Sequence, residues 1–264
     1  MHEITKTAGE RLLTLTIEAA AKSDPGLVRK MNQDSFGSDD ALALYVICDG
    51  MGGAAGGEVA SQIATETFLA IVKQELAHER SESVAGSRLA LERAAIAANR
   101  AVGTRALFDH RYRGMGSTLV GVKITASNLI AVNVGDSRVY LVRDGKATQI
   151  TEDHSYVHEQ VKLGTMTEAE AAVSSMQSLI TRAIGAEADV HPDLFEVPLQ
   201  ANDAILLTSD GLTRHVTDQQ IGEVLSTQSS DSTEEACFRL IELANSDGGS
   251  DNITCIVLRV TEAA

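Results

Sequence analysis

The chain has 264 residues, 44% of them apolar, which is enough for a sizeable core in one large domain or two small ones. It carries 22 basic and 37 acidic residues, and the net charge of −15 argues against nucleic acid or an anionic membrane as a main partner. Three cysteines without metal-ligand spacing indicate a reducing, cytoplasmic location. The polar start does not resemble a signal peptide, and no apolar run reaches the ~20 residues of a membrane span.

The first half of the chain predicts two strands followed by two long helices. Residues 1–10 are expected to form a flexible terminus, and the alternation of Leu13, Leu15 and Ile17 with threonines predicts a strand. The apolar run 42–48 predicts a buried strand. Amphipathic patterns then predict helices over 58–78 and 87–107, each covering the face of a sheet.

The second half predicts mainly short strands joined by tight turns, as in antiparallel sheets. Residues 153–185 are predicted to form a polar, helical segment on the surface, with a capping box from Thr167 to Glu170. Helices and strands occur in blocks, so the predicted class is α+β. The predicted strands are 118–124, 129–134, 138–142, 147–150, 195–199, 204–208 and 253–260, and the later helices are 217–225 and 233–244.

One stretch combines a strand end, a carboxylate and several glycines. Asp49 follows the apolar run directly, and Gly50, Gly52 and Gly53 come next, before the helix predicted from Glu58. An acidic side chain beside backbone that can approach a ligand closely suits a hard cation such as Mg²⁺. The alternative is an ordinary strand-to-helix turn, in which the acidic residue favours the helix start.

Five aspartates lie in or beside turns at predicted strand ends. Any one of them is more often a turn residue than a ligand. Five on one sheet system would repel one another without cations, and oxygen-only ligands point to Mg²⁺ or Mn²⁺ rather than Zn²⁺. Arg29 is then either a bidentate clamp for a phosphate or a solvated surface residue. The five aspartates are Asp34, Asp49, Asp136, Asp210 and Asp251.

Eight motifs in order make the chain resemble the metal-dependent serine/threonine phosphatases of the PP2C (PPM) family, in their compact bacterial form. The resemblance covers residues 13–260. The motifs are Arg29-x-x-Asn32-Gln33-Asp34, Val46-x-x-Asp49-Gly50-Met51-Gly52-Gly53, Gly114-x-Gly116-Ser117-Thr118, Gly135-Asp136-Ser137-Arg138, Asp153-His154-Ser155, Thr181-Arg182-Ala183-Ile184-Gly185, Ser209-Asp210-Gly211-Leu212-Thr213 and Asp251-Asn252-Ile253-Thr254.

The resemblance implies a fold and a reaction. The fold would be a four-layer α-β-β-α sandwich, two packed and mainly antiparallel sheets flanked by helices, in one catalytic domain over residues 11–262. Residues 155–180 would form a mobile flap beside the site. Water activated by two metal ions, Mn²⁺ or Mg²⁺, would attack phosphoserine or phosphothreonine in proteins without a phosphoenzyme. Partners would be phosphorylated proteins, a cognate Ser/Thr kinase among them, and the chain would be a monomer.

The resemblance also implies roles for the site residues. Asp49 would bridge two metals, with the Gly50 carbonyl on one and Asp210 and Asp251 on the other. Asp34 would hold metal-bound water, and Arg29 would bind the phosphate. Asp136 would contribute to a weaker third metal site.

Three residues depart from parts of the family pattern. Gln33 stands where many members have Glu, so one metal would have one carboxylate fewer. Met51 stands where animal members have a proton-donating His, but bacterial members commonly have Met there. Arg214 replaces an acid or Asn that often helps the third metal, so we expect two tight ions and a third that binds weakly.

Rival functions fit the sequence less well. Residues 50–55 match a dinucleotide fingerprint, but the acid expected about 20 positions later would fall within a predicted helix. No Gly-rich loop ends in Lys-Ser/Thr, and Cys48 is not followed by the Arg of a cysteine phosphatase. A non-catalytic relative that only binds phosphoproteins remains the alternative, and the retained aspartates argue against it.

Overall fold

A computed structural model describes residues 2–8, 11–53, 56–78, 83–226 and 231–262. The described strands form two sheets, and every neighbouring pair within them is antiparallel. The strands are β1 (His2–Ala8), β2 (Arg11–Asp24), β3 (Asp34–Asp39), β4 (Leu44–Met51), β5 (Gly116–Ser117), β6 (Leu119–Ile124), β7 (Asn128–Val134), β8 (Arg138–Arg143), β9 (Lys146–Gln149), β10 (Asp193–Pro198), β11 (Ala204–Thr208) and β12 (Ile253–Glu262).

The first sheet has the order β1-β2-β12-β11-β8-β9, and the second has the order β10-β7-β6-β4-β3 with β5 beside β4. Chain-distant strands are neighbours in the first sheet, where β2 pairs with β12 along ten residue positions. The described helices are α1 (Gly56–His78), α2 (Val84–Phe108), α3 (Tyr156–Lys162), α4 (Glu168–Ala171), α5 (Asp210–Thr213), α6 (Asp218–Leu225) and α7 (Thr233–Ser246).

Strand β4 shows why the sheets are stacked. Its alternate residues Leu44, Val46 and Cys48 pack with α1 and α2, whereas Tyr45 and Ile47 pack against the first sheet. A continuous apolar run is typical of a strand that is buried on both faces. A third cluster lies between the first sheet and α6 and α7. The layers are therefore helix, sheet, sheet and helix, which confirms the predicted α+β sandwich.

The structure differs from the sequence prediction in two segments. Residues 2–8, expected to be a flexible terminus, run as a strand beside β2. Residues 153–185, expected to be largely helical, contain only the short helices α3 and α4, although the capping box of Thr167 and Glu170 is present. An antiparallel bridge between Ser155 and Ile180 joins the two ends of the segment that the resemblance describes as a flap. None of the described helices has the length and hydropathy needed to cross a bilayer.

Candidate metal centre

Asp34 and Asp49 face each other across two antiparallel strands. Asp34 begins β3, Asp49 lies near the end of β4, and the two are direct cross-strand partners. Directly opposed residues in such a pair have Cβ atoms about 4.5–5.5 Å apart. The pairing therefore brings together two carboxylates that are fifteen residues apart in the chain.

The backbone of Asp49 is held by β5 and the residue that follows it. The Asp49 N–H donates to Thr118 Oγ1 at 2.9 Å, and the Thr118 N–H donates back to the Asp49 carbonyl at 2.8 Å. Ser117 Oγ donates to the same carbonyl at 2.9 Å. Sequence reasoning gave Ser117 and Thr118 no role beyond the motif, and their role is to fix the position from which the Asp49 carboxylate projects.

Gly50 lies where no side chain could fit. Its N–H donates to the Gln33 carbonyl at 3.1 Å, and a Cβ on Gly50 would lie 2.0 Å from the Gly57 carbonyl oxygen. Gly57 is in the first turn of α1, so glycine lets the strand end and the helix start touch. Gln33 contributes its backbone here, and its carbonyl also accepts a hydrogen bond from Ser61 Oγ at 2.6 Å.

Asp34 joins the two sheets. Its Oδ2 accepts hydrogen bonds from Ser209 Oγ at 2.8 Å and from Thr254 Oγ1 at 2.6 Å. Ser209 directly precedes Asp210, and Thr254 lies three residues after Asp251. These two hydroxyls therefore bring the end of β11, next to Asp210, and the start of β12, next to Asp251, to the Asp34–Asp49 pair of the second sheet. Neither hydroxyl was singled out from the sequence, although each lies inside a recognised motif.

Arg29 forms an ion pair with Asp251, with 2.8 Å between Nη2 and Oδ2. Its side chain is 54% exposed, so the guanidinium lies at the mouth of the site rather than in the core. Asn252 holds the loop that carries Arg29, because its Nδ2 donates to the carbonyls of Pro25 at 3.0 Å and Met31 at 2.9 Å. Sequence reasoning missed Asn252 as the residue that positions this loop.

Asp136, Asp210 and Arg214 line one cavity of about 350 Å³ beside the centre. Arg214 ion-pairs with Asp210, and its Nε donates to Asp210 Oδ2 at 2.9 Å. The opposite wall of the cavity is formed by α3, α4 and the residues that flank these two helices. The structure thus places Asp136 and Asp210 on the same cavity and turns Arg214 towards it.

The electrostatics of the five aspartates indicate that they converge. The pKa of Asp49 lies well above its usual value because its carboxyl is withdrawn from water, and the charges of Asp34, Asp210, Asp136 and Asp251 raise it further. Burial raises the pKa of Asp34 to about 6, although the hydrogen bonds from Thr254 and Ser209 lower it.

The other two buried aspartates show the same effect. Burial and the charge of Asp210 raise the pKa of Asp136 to about 8. Burial also raises the pKa of Asp210, although the Arg214 cation opposes that change. Each carboxylate is therefore costly to ionise without a compensating positive charge, and divalent cations would supply that charge.

Unpartnered oxygens test whether these residues fit a cation. Asp34 Oδ1, Asp136 Oδ1 and Asp210 Oδ1 are buried and accept no hydrogen bond. Such oxygens are rare in folded proteins and often indicate an ion or water that belongs there. Within the described part of the chain, no three acidic, His or Cys side chains form a preformed ligand cluster, and Asp210 and Asp251 are turned onto arginines. The donor set fits a hard cation, with some side-chain adjustment.

The fold and site together define a class of protein, an α-β-β-α sandwich with an aspartate centre where its two sheets meet. A model of the Protein phosphatase 2C family matches residues 28–255. The chain belongs to this family.

Relatives and solved structures support this assignment. Serine/threonine protein phosphatase PstP of Mycobacterium tuberculosis is 40% identical over 251 residues, covering 95% of this chain and 46% of that protein. The chain thus spans about half the length of PstP. Serine/threonine phosphatase stp of Listeria innocua is 34% identical over 92% of this chain and 95% of the relative.

The solved structures agree in fold over nearly the whole chain. The M. tuberculosis PstP/Ppp structure has a TM-score of 0.81 at 37% identity, covering 93% of this chain and 99% of the other. The structure of the catalytic domain of PstP in complex with two manganese ions has a TM-score of 0.80 at 38% identity. The match covers 94% of this chain and 99% of that one.

Proposed function

We propose that this chain removes phosphate from phosphoserine and phosphothreonine in proteins, using two bound divalent cations, Mn²⁺ or Mg²⁺. The observation that carries the proposal is geometric: Asp34 faces Asp49 across β3 and β4, and Ser209 and Thr254 hold Asp34 beside the segments of Asp210 and Asp251. One buried oxygen each of Asp34, Asp136 and Asp210 accepts no hydrogen bond. Relatives named as serine/threonine phosphatases, and a PstP structure described with two manganese ions, support the same activity.

The residues would divide the metal binding as follows. Asp49 would bridge the two ions because it lies at the centre of the acidic group. The Gly50 carbonyl would bind one ion, and Asp210 and Asp251 the other. Asp34 would orient the attacking water through its Oδ1, which accepts no hydrogen bond in the structure. Asp136 would serve a third, weaker site next to Asp210.

The bound ions would supply an activated water and positive charge for the phosphoryl oxygens. Arg29 would hold the phosphate at the mouth of the site, because a guanidinium can donate two parallel hydrogen bonds to phosphoryl oxygens. To do so, it would exchange its ion pair with Asp251 for one with the substrate. Met51 has no acidic proton, so the leaving serine or threonine oxygen must take its proton from another donor.

The same proposal covers partners and location. The substrates would be phosphorylated proteins, including a cognate Ser/Thr kinase and its targets, and the chain would act as a monomer. A cytoplasmic location is supported by Cys48, Cys237 and Cys255, which are all buried free thiols.

The test is phosphate release from a phosphothreonine peptide. We expect turnover with Mn²⁺ or Mg²⁺, none in EDTA, and recovery when metal is added back. Asp49→Asn serves as the matched inactive protein, with its fold checked by circular dichroism. Full turnover in EDTA would refute the metal mechanism. Peptide binding without turnover in any metal would instead support a phosphoprotein-binding regulator.

A further inference from the structure

The C-terminal end of α2 and the segment after it expose an unusual combination of side chains. Leu107 and Phe108 are 74% and 81% exposed, although both are large and apolar. Four basic residues, also exposed, lie within six positions of Phe108. We call this surface the α2-end patch, and it consists of Arg105, Leu107, Phe108, His110, Arg111 and Arg113.

The patch is organised around Tyr112 and Asp109. The guanidinium carbons of Arg105 and Arg111 lie 4.9 and 5.3 Å from the centre of the Tyr112 ring, within cation–π range. Asp109 caps the short turn after α2 and forms ion pairs with the same two arginines at 3.4 and 2.7 Å. The two arginines are thereby held in place against Tyr112 and Asp109.

A short length of chain connects the patch to the proposed metal centre. The Met115 N–H donates to the Tyr112 carbonyl at 3.1 Å, and the Met115 backbone packs against Gly52. The next two residues form β5, which pairs with Gly50 and Met51. An extended chain covers about 3.3 Å per residue, so Arg113 lies within about 10 Å of β5 and Phe108 within about 27 Å. An extended substrate of about eight residues could span that distance.

The charge of the patch is opposite to that of the protein. Residues 104–113 contain three arginines and one aspartate, whereas the whole chain has a net charge of −15. An acidic partner would be repelled by most of the protein's negatively charged surface and attracted to the α2-end patch. Charge complementarity therefore favours an acidic partner segment with an apolar residue that covers Leu107 and Phe108.

We propose that the α2-end patch is a docking surface for an acidic segment, with an apolar anchor, of the phosphoprotein whose phosphorylated residue occupies the metal centre. The inference rests on the proposed function and extends it to substrate selection. Arg113 and Arg111 supply the attraction, and Phe108 packs against the anchor.

The test compares two phosphothreonine peptides and one small phosphate ester. The acidic peptide has three glutamates and a leucine, four to eight residues from the phosphothreonine. Two versions of it are made, one with these residues before the phosphothreonine and one with them after it. The neutral peptide has glutamines in place of the glutamates and serine in place of the leucine. p-Nitrophenyl phosphate, too small to reach the patch, is the reference substrate for every variant. We expect Arg113→Glu to lower kcat/KM for the acidic peptide, relative to that reference, by about fivefold to tenfold, in line with a surface charge reversal.

Two more measurements complete the expected pattern. Phe108→Ser should cause a similar loss with the acidic peptide. Raising the salt to 0.5 M should remove most of the difference between wild type and Arg113→Glu, because exposed charges are then screened.

Matched controls are available on α7, on the opposite helical layer. Arg239 is an exposed arginine that pairs with Asp231, and Phe238 is 48% exposed beside it. Arg239→Glu and Phe238→Ser should leave kcat/KM for the acidic peptide, relative to p-nitrophenyl phosphate, at the wild-type value. Equal losses of kcat/KM in Arg113→Glu and Arg239→Glu would overturn the proposal. A wild-type protein that sediments as a dimer, and an Arg113→Glu variant that sediments as a monomer, would also overturn it, because the patch would then be a contact between two copies of the chain.

Failure of the proposed function would look different. Wild type would then hydrolyse none of the three substrates with Mn²⁺, and the docking question would be answered by binding alone. Fluorescence anisotropy of the labelled acidic peptide would be measured for wild type, Arg113→Glu and Arg239→Glu. Weaker binding only in Arg113→Glu would support the docking surface, and equal binding by all three would refute it.

Discussion

Arg214 forms an ion pair with Asp210, which lies four positions earlier in the chain at the start of α5. Both residues line the same cavity as Asp136. The guanidinium is therefore turned inward, to where a third metal ion would bind. A fixed cation near a divalent ion costs roughly 4 kcal/mol per unit charge at 4 Å and an effective dielectric constant of 20. Two tight ions and a weak third are the expected stoichiometry.

Arg214→Asp should therefore strengthen metal binding at Asp136, because it replaces the repelling cation by a carboxylate. Titration of Mn²⁺ by calorimetry should show a third site that tightens at least tenfold relative to wild type. The double variant Arg214→Asp with Asp136→Ala is the control, and it should lose that site. Three sites of similar affinity in the wild type would contradict this view.

Arg29→Ala should raise KM and lower kcat, because a phosphate clamp binds both the substrate and the transition state. Arg29→Lys keeps the charge but not the bidentate geometry, so it should recover only part of the loss. Steady-state kinetics with a phosphothreonine peptide measures both effects. Unchanged KM and kcat in Arg29→Ala would show that Arg29 is a surface residue paired with Asp251 and does not bind the phosphate.

Asp49→Asn should lower kcat by at least ~10³-fold, comparable to the loss of a main electrostatic contributor to catalysis. The reason is that Asn cannot offer the shared negative charge that two ions need. Single-turnover kinetics and metal analysis of the purified variant would check it. A loss under about tenfold, with fold and metal content intact, would mean that another residue bridges the ions.

Thr254→Val should weaken metal binding by about 10–100-fold, since it removes the 2.6 Å hydrogen bond that orients Asp34. Thr261→Val is the matched control, because Thr261 lies on the same strand β12 at its exposed end. Mn²⁺ affinity and thermal unfolding are measured on both variants. Equal Mn²⁺ affinity in both would show that Ser209 alone suffices to orient Asp34.

The raised pKa values of Asp34 and Asp136 predict how the metal-free protein responds to pH. Their folded-state pKa values of about 6 and about 8 exceed the usual 3.8, so the folded state holds more protons than the unfolded state between these values. The free energy of unfolding in EDTA should therefore fall as pH rises from about 4 to about 8, by up to about 1.4 kcal/mol per pH unit for each such proton.

Thermal unfolding in EDTA at pH 5, 6.5 and 8 measures this dependence. Asp136→Asn should flatten it between pH 6.5 and 8 and stabilise the metal-free protein at pH 8. Saturating Mn²⁺ should raise the melting temperature most at pH 8, where the carboxylates are ionised. A melting temperature in EDTA that increased from pH 5 to 8 would contradict the assigned pKa directions.

The sequence by itself determined the local parts of the centre. The apolar run ending in Asp49, the glycines after it and the amphipathic pattern of α1 are all short-range signals, and the structure reproduces each of them. The order of the motifs determined the family, which the comparison over residues 28–255 confirms. The roles of Arg29 and the five aspartates stay predictions.

Tertiary structure alone decided how those parts meet. Hydrogen bonds from Ser209 and Thr254 to Asp34 cross 175 and 220 residues of chain, and no local pattern encodes them. The inward direction of Arg214 and the limited helix content of residues 153–185 also depended on packing against the rest of the molecule. Propensity and periodicity act over a few residues, whereas the stacking of two sheets, which buries these side chains together, is a property of the whole chain.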